Sequence, residues 1–150
     1  MSDAIARNFD VKDATSLMCP LKGAEGLVVF AKGSDKAIMS FVPPSAGMFI
    51  WSRFYLYNSP QFLKIASQSS VEDPEAEFSN YIWGKLAKAL VLLTPGSYYT
   101  PWQGKDKTTT KARGAEEGMG HFRLAFSMTS KEQMDTGVER MAKVLEKCWA

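Results

Sequence analysis

The residues best placed to do chemistry lie in Met119-Gly-His-Phe-Arg-Leu-Ala-Phe-Ser-Met128. The alternation of this run predicts a strand, in which successive side chains point to opposite faces. Phe122, Leu124, Phe126 and Met128 then form a core face, while His121, Arg123, Ala125 and Ser127 share the other. Arg123 is the centre of that second face. A guanidinium among apolar neighbours is costly unless an anion meets it, and its planar fork of N–H donors suits a carboxylate. That carboxylate belongs either to one of the sixteen acidic residues of the chain or to a small ligand. For the strand taken by itself, the internal ion pair is the simpler expectation. His121, the single histidine, is two places from Arg123 and titrates near neutrality, so it can hold or move a proton there.

One domain, residues 1–150, is expected to carry this strand. The length suffices for a sizeable core, and 45% apolar with 23% charged residues is a globular composition. A net charge of +2, with no run of Lys or Arg interleaved with aromatics, leaves no surplus for nucleic acid. Cys19 and Cys148 are far apart and there is one histidine, so neither a metal site nor a disulfide framework is expected, and a cytoplasmic setting fits. The first ten residues lack the basic start and apolar stretch of a signal peptide. No segment is apolar for long enough to span a bilayer.

Residues 1–25 are mixed and read as irregular, broken by Cys19-Pro20 and by Gly23 and Gly26. Residues 26–31 and 37–42 have strand composition and flank a turn at Gly33-Ser-Asp35. Pro43-Pro44 interrupts, because proline cannot donate to a ladder, and residues 48–56 form the longest strand, with Arg53 marking a wet or paired face. A short helical piece is expected around Gln61 to Ala66. Asp73-Pro74 predicts a helix start, followed by an apolar stripe of Phe78, Ile82, Leu86 and Ala89. Val91-Leu-Leu93 reads as a strand ended by Thr94-Pro95-Gly96. Residues 97–120 read as one long loop, a length that suggests a lid. Ser130 and Gln133 form a capping-box pattern opening a last helix, with Met134, Val138, Met141, Leu145 and Cys148 as its core stripe. The fold class is α+β: a small, mostly antiparallel sheet covered by helices.

Three ordered motifs add a resemblance. Val42-Pro-Pro-Ser-Ala-Gly-Met-Phe-Ile-Trp51, Leu93-Thr-Pro-Gly-Ser-Tyr98 and Phe122-Arg-Leu-Ala-Phe-Ser127, followed by an amphipathic helix, are similar to the C-terminal small domain of fold-type I, pyridoxal-phosphate-dependent aminotransferases. The branch it resembles is the aromatic and aminoadipate enzymes of fungi, over roughly residues 26–149. The resemblance implies that Arg123 binds a substrate α-carboxylate and that Gly47, Met48 and Phe49 line the pocket. It thereby reverses the expectation of an internal ion pair. The large domain, with its Schiff-base lysine and phosphate cup, has no counterpart in this sequence. Thr108-Thr-Thr-Lys111 superficially matches a segment before such a lysine, but it falls between the small-domain motifs and reads as a decoy.

What remains is an amino-acid site expected to work with no cofactor and no metal. The chain also resembles the aminotransferase-derived fungal Pictet-Spenglerases, which implies condensation of an aromatic L-amino acid with an aldehyde and closure to a tetrahydro-β-carboline in alkaloid biosynthesis. L-tryptophan would place its carboxylate on Arg123 and its indole among Phe49, Trp51, Tyr98 and Trp102. His121 is the first acid-base candidate; Glu116 and Glu117, in the loop, are the next. Singly, each of those carboxylates is more simply a solvated loop charge. Two other readings share Arg123: a non-catalytic amino-acid-binding module, and a partial aminotransferase or pseudoenzyme that needs a partner chain. A small domain without its large one exposes apolar surface, so a homodimer is expected.

Overall fold

Short alternating segments of this chain pair into one antiparallel sheet, and longer stripes with a period near 3.6 close over one side of it. The computed structural model describes residues 1–13, 26–99 and 108–150. The strands are β1 (Asp10–Asp13), β2 (Leu27–Phe30), β3 (Ala37–Phe41), β4 (Phe49–Tyr55), β5 (Thr94–Pro95) and β6 (Met119–Ala125), in the spatial order β1-β2-β3-β4-β6-β5. The helices are α1 (Ser2–Asn8), α2 (Pro60–Ala66), α3 (Pro74–Lys88) and α4 (Lys131–Trp149). The architecture is α+β, as the sequence implies. The pairing of β4 with β6 is the longest, running from Phe49↔Ala125 to Tyr55↔Met119.

One face of the sheet is the core face. Val29, Met39, Phe41, Ile50, Phe54, Phe122 and Leu124 bury against Ile5 of α1, Phe62 of α2, Phe78, Ile82 and Leu86 of α3, and Val138, Met141 and Leu145 of α4. Most of the stripe expected of each long helix is buried; the exceptions are Ala89, which follows the end of α3, and Met134 in the first turn of α4, both only half-buried. Both helices start as predicted. Asp73 accepts from the Ala76 N–H at 3.1 Å, with Pro74 at the first helical position, and Ser130 and Gln133 close a capping box. The opposite face of the sheet has no helix on it among the described residues. It carries a small apolar cluster of Val28, Ala37 and Tyr55 and, beyond Tyr55, the residues of the candidate site. No helix among the described residues is long and apolar enough to cross a membrane.

Four expectations need correction. Residues 2–13 are not irregular but form α1 and β1. This helix has no side-chain cap, which is why no start signal marks it, and it is held by Ala4 and Ile5 in the core. Val91-Leu-Leu93 is not a strand. Leu90 adopts a left-handed φ of 61°, and the Val91 N–H turns back to the Leu86 carbonyl at 2.9 Å, closing α3 and delaying the strand to Thr94–Pro95. The strand of Arg123 ends at Ala125, with the Phe126 N–H still donating in register to the Met48 carbonyl at 3.1 Å; beyond it the chain turns away from the sheet and Met128 is 94% exposed rather than core. The loop of residues 97–120 is shorter than expected at both ends, as Gly96–Tyr99 is a 3₁₀ turn and Met119 already belongs to β6.

Candidate active site

Register brings the site together. Across β4 and β6, Trp51 pairs with Arg123 and Arg53 with His121; on the other side of β6, Thr94 of β5 also pairs with Arg123. Because paired residues share a face, Phe49, Trp51, Arg53, His121, Arg123 and Thr94 all stand on the uncovered side. The predicted separation of Phe122 and Leu124 from His121 and Arg123 is realised, the first two buried and the second two not. The 3₁₀ turn lies across the end of this row. Gly96 permits the approach: a Cβ there would stand 3.0 Å from the His121 Cβ and 3.2 Å from its carbonyl oxygen.

Among the described residues, Arg123 is held by rings rather than by a carboxylate. Its guanidinium carbon lies 4.2 Å from the centroid of Phe49 and 4.6 Å from that of Tyr99. Such contacts contribute from about 0.5 to about 2 kcal/mol each, depending on how dry the site is. They hold the fork in place without answering its N–H groups, which meet no acceptor among the described residues. Among the described residues Arg123 makes no ion pair, and its Nε is buried without a hydrogen-bond partner. The internal ion pair, the simplest expectation from the strand alone, is therefore absent among those residues. Trp51 extends the aromatic wall, meeting Tyr99 edge-on at 5.5 Å and stacking on the His121 ring at 6.3 Å with 20° between planes.

Glu116 does not reach Arg123. It forms an ion pair with Arg53, one strand away from His121. Glu117 is exposed, and its side chain makes no hydrogen bond or ion pair among the described residues. Gly47, at a left-handed φ of 99°, and Met48 are exposed at the turn into β4 and deliver Phe49 to Arg123. Tyr98 is half exposed, and its ring packs edge-on against Trp83 of α3 at 6.2 Å. Trp102 lies outside the described residues. Two residues that the sequence does not single out for the site are Tyr99 and Arg53. Tyr99 was visible only as one of a cluster of aromatics, and Arg53 only as a charge on a strand. Thr110 of the decoy motif is structural: its N–H and hydroxyl both donate to Asp73, at 2.8 and 2.9 Å.

Part of His121 faces solvent, yet packing around the ring pushes its pKa below the ordinary 6.5; the Arg53 charge adds to this and Glu116 opposes it. The ring is thus neutral at pH 7 and can accept a proton. A carbon-proton NMR titration is expected to show a midpoint below 6.5, moved up by Arg53→Gln and further down by Glu116→Gln. A midpoint unmoved by both variants would show that the ring does not sense this ion pair. A histidine whose folded pKa is depressed holds fewer protons than the unfolded chain. Its contribution to stability is therefore complete above about 6.5 and declines as the pH falls below that value.

Pyridoxal phosphate, the aminotransferase cofactor, requires a lysine amine for its Schiff base. None of the residues that β4, β5 and β6 present on this face is a lysine, so the face does not fit that cofactor. No protein-family model and no curated protein matches this sequence. Among solved structures, the aminotransferase Aro8 from Candida albicans is similar in fold, with a TM-score of 0.55 and 20% identity. The likeness covers 75% of this chain and 21% of that one, so the chain spans about a fifth of the length of the aminotransferase whose fold it shares.

Proposed function

We propose that this site binds an aromatic L-amino acid, L-tryptophan above all, by its carboxylate at Arg123, and joins its amine to an aldehyde in a Pictet-Spengler cyclisation without a cofactor. The observation that carries the reading is a guanidinium oriented by Phe49 and Tyr99, with no carboxylate on it among the described residues, beside an aromatic wall and a histidine. The sequence resemblance to aminotransferase-derived Pictet-Spenglerases supports it, and the fold shared with part of an aminotransferase is in keeping with it.

The chemistry needs few groups. The amine nitrogen adds to the aldehyde carbon, the aldehyde oxygen leaves as water, and the protonated imine forms. The indole C2 then bonds to the imine carbon, and the proton on C2 departs, restoring the aromatic ring. Amino acid and aldehyde give tetrahydro-β-carboline and water, with no oxidant or reductant. Arg123 and the rings fix the amine and the indole relative to each other, which is where most of the acceleration originates. Neutral His121 accepts the departing proton and passes it to solvent.

Incubation with L-tryptophan and a series of aldehydes, followed by chiral chromatography, tests this. A single stereoisomer formed faster than in buffer is the expected result. A mixture of isomers at the uncatalysed rate would overturn the catalytic reading.

A further inference from the structure

Arg53 and Arg123 occupy opposite corners of a square whose other corners are Trp51 and His121. Diagonal neighbours across an antiparallel pair sit roughly 7–8 Å apart, so two guanidiniums share one patch of the sheet. The Nε of each is buried without a hydrogen-bond partner among the described residues. Two like charges this close and partly buried are favourable only when anions answer both. Arg53 has its answer in Glu116, but the two partners are unequal: the Arg53 side chain is 15% exposed and that of Glu116 58%. An ion pair with so exposed a member adds little stability and is readily exchanged. Glu116 thus marks a carboxylate position one diagonal away from Arg123, which has no ion-pair partner among the described residues.

We propose that Arg53 is a second anion-binding group of this site, and that the carbonyl compound condensed with the amino acid carries a carboxylate that takes the place of Glu116. The inference rests on the function proposed above and names the class of its second substrate: a 2-oxo acid or an aldehyde bearing a carboxylate next to its carbonyl. Such a compound has its carbonyl carbon directly attached to the anchored carboxylate. The amine of the amino acid is attached to the carbon next to the carboxylate on Arg123. Two anchors on diagonal positions therefore bring nitrogen and carbonyl carbon together over the square, beside His121. The new C–N bond forms with loss of water, and both carboxylates remain in the product.

Two measurements test the proposal, one of which needs no turnover. Calorimetric titration with succinate and with butyrate compares a dianion that can meet both arginines with a monoanion of similar size. Succinate is expected to bind about tenfold more tightly, since a second charge-assisted contact has that order of effect. Arg53→Gln should erase the difference. Glu116→Gln should strengthen succinate binding, a gain that misfolding cannot imitate. With L-tryptophan present, glyoxylate should show a larger rate enhancement over buffer than acetaldehyde, and Arg53→Gln should reduce that ratio. Equal binding of succinate and butyrate, or a preference unaffected by Arg53→Gln, overturns the second anion site. If succinate is preferred but neither aldehyde is converted, the anion site holds and the cyclising function fails. If both aldehydes are converted alike and succinate is not preferred, the function holds and this inference fails.

Discussion

Replacing Arg123 with alanine is expected to weaken L-tryptophan binding by about 100-fold or more, which corresponds to roughly 3 kcal/mol for two charge-assisted hydrogen bonds to a carboxylate. The size follows from how the side chain is held. Phe49 and Tyr99 have already fixed the plane of the guanidinium, so little rotamer entropy remains to be lost when the ligand arrives. Lysine at the same position keeps the charge but neither the fork nor the stacking, and an intermediate loss of about tenfold is expected. Calorimetry with each variant measures both values, and the far-ultraviolet circular dichroism should be unchanged, because Arg123 is not part of the core. Tryptophan binding that survives Arg123→Ala intact would place the carboxylate elsewhere and remove the basis of the proposed function.

Phe54→Ala is expected to have the largest effect on stability, about 3–5 kcal/mol, the usual range for truncating a buried phenylalanine. The ring is fully buried, edge-on to Phe122 at 4.8 Å and 6.2 Å from Trp149, so it joins β4, β6 and the end of α4. The cavity left there cannot be filled by one neighbour without disturbing the other two. In a chain of this size such a loss lowers the melting temperature by roughly 10 °C. Thermal or denaturant unfolding gives the number directly, and a loss below about 1 kcal/mol would mean that the three elements do not depend on this contact. Phe54 also lies between Arg53 and Tyr55, so repacking at this point displaces the row that carries Trp51 and Arg53.

The strand of Arg123 was legible because a period of two leaves only one assignment of faces, and the long helices because Asp73-Pro74 and Ser130 with Gln133 mark their starts. Which side chains meet Arg123 was not legible. That depends on the register between β4 and β6, set by contacts far apart in the chain, and on a 3₁₀ turn that brings Tyr99 rather than Tyr98 over the guanidinium. Glu116 could be recognised as a loop carboxylate, but its choice of Arg53 is a tertiary matter that local pattern does not encode. The first helix was missed because seven residues without a cap have too weak a local signal, and core packing, not propensity, holds them. Val91-Leu-Leu93 shows the converse: strand composition overridden by a helix ending on Leu90.

Asp73 has a consequence beyond capping a helix. One of its carboxylate oxygens receives the Ala76 N–H and the Thr110 hydroxyl, and the other receives the Thr110 N–H. A little further along, the Gly118 N–H donates to the buried Glu75 carboxylate at 2.7 Å. The segment bearing Glu116 is thus moored at both ends to the first turn of α3. Any excursion large enough to break these moorings takes the Thr110 and Gly118 donors from Asp73 and Glu75, so the segment is tied to the start of α3 rather than hung as a free flap over a rigid body. Exchange of Glu116 for an incoming anion must then proceed by rotation of its own side chain on a fixed backbone, a fast local event whose rate is independent of the unfolding of the segment.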